Sequence, residues 1–97
     1  MKTFQEIKEI LRGNKQELED KYKVKEIGVF GSVVRGETGK RSDIDVLVDF
    51  YEVPDLLKFI ELEFYLKKLL KSRVDLVDKQ GLKPRVREPI LAEVFYL

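Results

Sequence analysis

Ninety-seven residues, 43% hydrophobic and 38% charged, fit one small globular domain over 1–97, without room for a second substrate-binding domain. A formal net charge of +1 lacks the basic excess of nucleic-acid binders, so nucleic acid is not an expected partner. The absence of cysteine and histidine excludes disulfides, thiolate or imidazole metal sites and histidine acid–base catalysis, leaving hard cations on oxygen ligands.

Taken in chain order, Thr3 to Lys23 reads as an amphipathic helix. Thr3 and Glu6 have the spacing of a capping box, and Phe4, Ile7, Leu11, Leu18 and Tyr22 keep a helical period. Gly13-Asn14 is a point at which the helix splits or kinks. The charged residues interspersed in MKTFQEIKEI do not make a signal peptide, and no apolar run approaches the ~20 residues of a membrane span. A cytoplasmic protein without a membrane partner is expected.

Val24 to Phe30 is the first strand. Gly31-Ser32 turns out of it, Val33 to Gly36 supplies about one helical turn, and Glu37 to Arg41 forms a polar loop around Gly39. Ser42 to Val48 is the second strand, with Ile44, Val46 and Val48 on one face and Asp43, Asp45 and Leu47 on the other. Asp49 has the parity of the two aspartates but is expected in a surface loop.

A helix is expected from Pro54, as its first residue, to about Leu70. Its apolar positions spread over more than one face, which makes part of its surface a candidate partner interface. Arg73 to Val77 is the third strand, with Asp75 opposite in facing to Val74 and Leu76. Gly81 and Pro84 mark a loop, and the closing helical pattern (Val86, Ile90, Leu91, Val94) either starts at Pro89 or kinks there. These elements make an α/β (α+β) fold: a small mixed sheet with helices packed against it.

The chemistry concentrates between Gly31 and Val48. Asp43 and Asp45 stand two apart on a strand, so their carboxylates project together from Cα atoms roughly 6–7 Å apart. That suits a divalent cation, since Mg²⁺ is commonly held by one or two carboxylates plus substrate phosphates. Like charges so close repel, and a purely structural sheet has no use for them. At the other end, a Gly-Ser turn entering a helix offers backbone N–H groups suited to phosphate. Together they describe a nucleoside triphosphate site. Asp75 is the candidate third carboxylate if its strand neighbours that of Asp43 and Asp45, with Asp78 as its rival.

Gly31-Ser32-x-x-Arg35-Gly36, five residues, then Ser42-Asp43-x-Asp45 and the aliphatic Val48 resemble the signature of the DNA polymerase β-like nucleotidyltransferase superfamily. The short chain is most similar to its minimal branch, the MntA-type antitoxins of HEPN/MNT toxin–antitoxin systems. The resemblance implies that Asp43, Asp45 and Asp75 are catalytic and hold Mg²⁺, with two ions expected, and that ATP is the substrate. Gly31, Ser32, Arg35 and Ser42 make up the nucleotide-binding set. Within it Arg35 either clamps phosphate or pairs with an acidic neighbour, Ser42 caps or supports the metal-site backbone, and Gly36 allows close approach of the loop.

The implied function is Mg²⁺-dependent transfer of AMP from ATP to a protein hydroxyl, expected to be a tyrosine of a partner HEPN RNase toxin, which makes the chain an antitoxin. An alternative from a different class is a non-catalytic antitoxin that neutralises its toxin by direct binding, motivated by the apolar helix that follows Pro54.

Overall fold

A computed structural model describes residues 3–37 and 43–97. Two helices open the chain, α1 (Phe4–Gly13) and α2 (Lys15–Tyr22). The capping box at Thr3 is formed: its side chain accepts from the Glu6 N–H while the Glu6 side chain accepts from the Thr3 N–H. Asn14 makes the break, because its side chain donates to the Ile10 carbonyl (2.8 Å) and closes α1. The Tyr65 hydroxyl donates to Glu17 (2.9 Å) and ties this junction to the next long helix.

Strand β1 (Val24–Phe30), the single-turn helix α3 (Ser32–Arg35) and strand β2 (Ile44–Phe50) follow. Strand β2 reaches two residues beyond its expected end because Asp49 and Phe50 pair with Glu26 and Val24 of β1. Asp49 is therefore not a surface loop residue. It is a buried strand residue whose carboxylate accepts from the Phe50 N–H (3.1 Å) and the Gln80 amide (3.3 Å).

Helix α4 (Leu56–Leu70) starts two residues later than expected. Asp55 is the cap, accepting from the Lys58 N–H (2.8 Å), and Pro54 precedes it. Strand β3 (Val74–Asp78) then lies parallel to β2, as a helical crossover requires. After a 3₁₀ turn (Lys79–Gly81), helix α5 (Pro84–Glu93) begins at Pro84 and carries Pro89 inside it, and the short strand β4 (Phe95–Tyr96) closes the sheet. The sheet order is β3-β2-β1-β4, with β1 antiparallel to both of its neighbours. The mixed-sheet expectation holds.

The core lies on one face of this sheet. Ile7 and Leu11 of α1, Leu18 and Tyr22 of α2 and Leu62, Leu66 and Leu70 of α4 bury their stripes against Ile27, Val29, Ile44, Val46, Val48, Val74 and Leu76. On the opposite face Leu47 is also buried, so β2 is covered on both sides at its centre. Strand β4 was not foreseen, because its pairing depends on Gly28. A Cβ there would stand 2.7 Å from Val94 and 2.9 Å from the Phe95 carbonyl, so only glycine lets the C-terminal segment dock on β1.

Helix α4 also leaves an apolar surface uncovered. Leu56, Leu57 and Phe64 are 74%, 68% and 61% exposed, and Val53 just before the helix is 86% exposed. No helix among the described residues is long and apolar enough to cross a membrane. The two faces of α4 should respond differently to truncation. Leu66→Ala is expected to cost about 3 kcal/mol in chemical denaturation, and Leu56→Ala no more than about 0.5 kcal/mol.

Candidate active site

Gly31, Asp43, Asp45 and Asp75 lie at one end of the sheet, with the aspartates on the face opposite the core. In the parallel register of β2 with β3, Ile44 stands beside Val74 and Val46 beside Leu76, and these four point into the core. The intervening pair, Asp45 and Asp75, therefore stands side by side on the other face. Asp43, one position ahead of β2, shares that parity. Asp75 thus shares a face with Asp43 and Asp45, as its candidacy for third carboxylate requires. Asp78 lies at the strand end and caps the 3₁₀ turn instead, accepting from the Gln80 N–H (3.0 Å).

On the other flank, the antiparallel register places Phe30 beside Asp45, so the turn after β1 arrives over the same carboxylate. Gly31 makes this possible twice over. Its φ of +81° is left-handed, and a Cβ there would lie 2.1 Å from Asp45 Oδ2. Ser32 opens α3, whose first N–H groups have no acceptor within the helix. Ser42 lies outside the described residues.

The negative charges are partly balanced from within the chain. Asp43 accepts from Arg73 Nε at 2.8 Å. The Arg35 guanidinium pairs with two acidic neighbours: Nε donates to Glu37 (3.2 Å), and Nη1 donates to Glu93 at the end of α5. Arg73 and Glu93 were not singled out in the sequence. Both come from elements distant along the chain, and neither belongs to the motif.

Asp45 remains perturbed despite these cations. Burial first, then the charges of Asp75 and Asp43, push its carboxyl up to about 6, while Arg35 pulls the other way. Among the described residues, no three acidic groups converge tightly enough to form a cation cage by themselves. The donor set is nevertheless oxygen only and carboxylate-rich on one face, which fits a hard ion that completes its shell with phosphate oxygens and water.

The perturbed carboxyl has a consequence for stability. A raised folded-state value favours the protonated form, so Asp45 stabilises the fold below its ordinary value of 3.8, and that contribution is lost as pH rises through about 6. Asp45→Asn should therefore stabilise the metal-free protein at pH 7–8, by about 1 kcal/mol after allowing for solvent screening of a partly exposed group. Thermal melts should show this gain shrinking towards zero near pH 4.

Comparison with known proteins agrees with this geometry. The family model described as "Nucleotidyltransferase domain" matches residues 11–96. The chain is 56% identical over 97 residues to the protein adenylyltransferase MntA of Thermococcus cleftensis, covering 100% of this chain and 98% of that protein. A solved structure assigned as a minimal nucleotidyltransferase superposes with a TM-score of 0.75 at 41% identity, covering 92% of this chain and 94% of that one. A toxin–antitoxin structure with AMP-PNP superposes with a TM-score of 0.70 at 29% identity, covering 93% and 68%. With the strand-borne carboxylates and the glycine turn in place, the chain belongs to the nucleotidyltransferase domain family, in its branch of MntA-type protein adenylyltransferases.

Proposed function

We propose that this protein is a Mg²⁺-dependent adenylyltransferase that moves AMP from ATP onto a tyrosine hydroxyl of a partner HEPN-type RNase toxin, and so acts as its antitoxin. The observation that carries the reading is the register of Asp45 with Asp75, with Asp43 on the same face and the Gly31 turn packed on Asp45. The relative of known structure held as a toxin–antitoxin complex with AMP-PNP supports both ATP and the kind of partner. The curated name of the Thermococcus relative supports a protein acceptor.

Asp43, Asp45 and Asp75 would hold the cations. Bound there, Mg²⁺ would supply charge neutralisation for the triphosphate and lower the cost of ionising the acceptor hydroxyl. Ser32, Gly31 and the first N–H groups of α3 would bind the phosphates behind the scissile bond, and Arg35 is placed to join them from the same turn. Ser42 belongs to this set through the motif alone.

In the reaction the acceptor oxygen bonds to the α-phosphorus as the bond from that phosphorus to the bridging oxygen breaks, and pyrophosphate leaves. The acceptor proton passes to a carboxylate, for which Asp75 is the best placed. It is the exposed member of the group, on the edge strand, where a partner's side chain can approach. The chain thus contributes position and charge, with no covalent intermediate.

A second reading, neutralisation by binding alone, is favoured by the exposed Val53, Leu56, Leu57 and Phe64. One pair of proteins separates the two. Incubated with its cognate toxin, ATP and Mg²⁺, the wild-type chain should add one or more AMP units to the toxin in intact-mass spectra. Asp43→Asn with Asp45→Asn should slow this on the order of 10³-fold and abolish neutralisation. Neutralisation that survives in the double variant, with no mass gain, would establish the binding reading instead.

A further inference from the structure

Glu93 is the group at the site that the motif leaves unexplained. It is the last residue of α5, at the negative end of a helix dipole whose last turn carries no basic residue. A carboxylate gains nothing from its own helix there. Its partner is Arg35, from an element 58 residues away in the chain. The anchoring of β4 fixes where Glu93 sits: Gly28 admits Val94 and Phe95 against β1, and the Leu97 N–H donates to the Ile27 carbonyl (3.0 Å). The same Glu93 charge adds to the negative field on Asp45, which places it within reach of the carboxylate cluster.

A half-exposed arginine–glutamate pair contributes little to folding, typically between zero and about 1 kcal/mol. Its consequence lies in what Arg35 is prevented from doing. Two of the guanidinium donors are committed, Nε to Glu37 and Nη1 to Glu93, and an arginine serves phosphate best through two donors at once.

We propose that Glu93 is a positioning residue of the nucleotide site: it holds Arg35 beside the carboxylate face while the site is empty and competes with the triphosphate for it, so that it sets nucleotide affinity. This rests on the reading of Arg35 as a phosphate ligand. Glu37 pairs with the same guanidinium from only two residues away, on the same turn, so its contact depends on no distant part of the fold. Glu93 is held by a different part of the fold and cannot follow Arg35. Nucleotide entry therefore breaks the Glu93 contact and keeps the Glu37 one.

The test is calorimetric titration of AMP-PNP with Mg²⁺ into four folded proteins, each checked by thermal melting: wild type, Glu93→Gln, Arg35→Gln and the Glu93→Gln/Arg35→Gln double variant. Glu93→Gln should bind about fivefold more tightly than wild type, and Arg35→Gln should bind more weakly. In the Arg35→Gln background the Glu93→Gln gain should vanish. An unchanged or weakened Glu93→Gln, beside a weakened Arg35→Gln, overturns the proposal and leaves the nucleotide site standing. A gain that persists without Arg35 also overturns it, because the effect is then through-space charge alone. If Arg35→Gln binds like wild type, the reading of Arg35 itself fails.

Discussion

Asp45 and Asp75 stand side by side on neighbouring parallel strands, two carboxylates at roughly the 4.8 Å spacing of a β-sheet. Like charges so placed repel, and they hold their register only because the other face of the same strands is locked into the core. Ile44, Val46 and Val48 beside Val74 and Leu76 cannot slip by one residue without turning apolar side chains to solvent. Gly31 adds a second lock, since the turn after β1 rests directly on the Asp45 carboxylate. Stability contributed by α1, α2 and α4 on one face is thus spent on charge held together on the other.

The chain meets that charge with its own cations. Arg73 covers Asp43, while Arg35 stands near Asp45 and is itself held by Glu37 and Glu93. Each of these pairs is exposed enough to exchange. A triphosphate carrying a divalent ion brings both partners that the resting pairs imitate: a cation for the carboxylates and an anion for the guanidinium.

Much of this was legible in the sequence, for identifiable reasons. The alternation of Ile44, Val46 and Val48 with Asp43 and Asp45 set the faces of β2, and Val74-Asp75-Leu76 did the same for β3. Periodicity could say that Asp75 would meet Asp45 only on the condition that their strands were neighbours, and the parallel crossover through α4 meets that condition. Boundaries were harder where two signals competed. Pro54 marked a helix start, but the adjacent Asp55 can satisfy an N–H group, and the cap won. Pro89 resembled a breaker, but Pro84 had already opened the helix. Asp49 looked like a loop residue because its polarity outweighed its parity, and its partner Gln80 lies 31 residues away. Glu93, Arg73 and the pairing of β4 depend on contacts between distant segments, for which local pattern carries no signal.

The measurement that bears most directly on the central claim follows the phosphorus atoms. Parallel reactions of the chain, its cognate toxin and Mg²⁺ would use ATP labelled at the α-phosphate in one and at the γ-phosphate in the other. The toxin would then be separated and counted. Attack at the α-phosphorus predicts label on the toxin from the first reaction and none from the second, where it leaves as pyrophosphate. Label retained from the γ-position, or from neither while the toxin is still neutralised, would contradict the assignment of this site to adenylyl transfer.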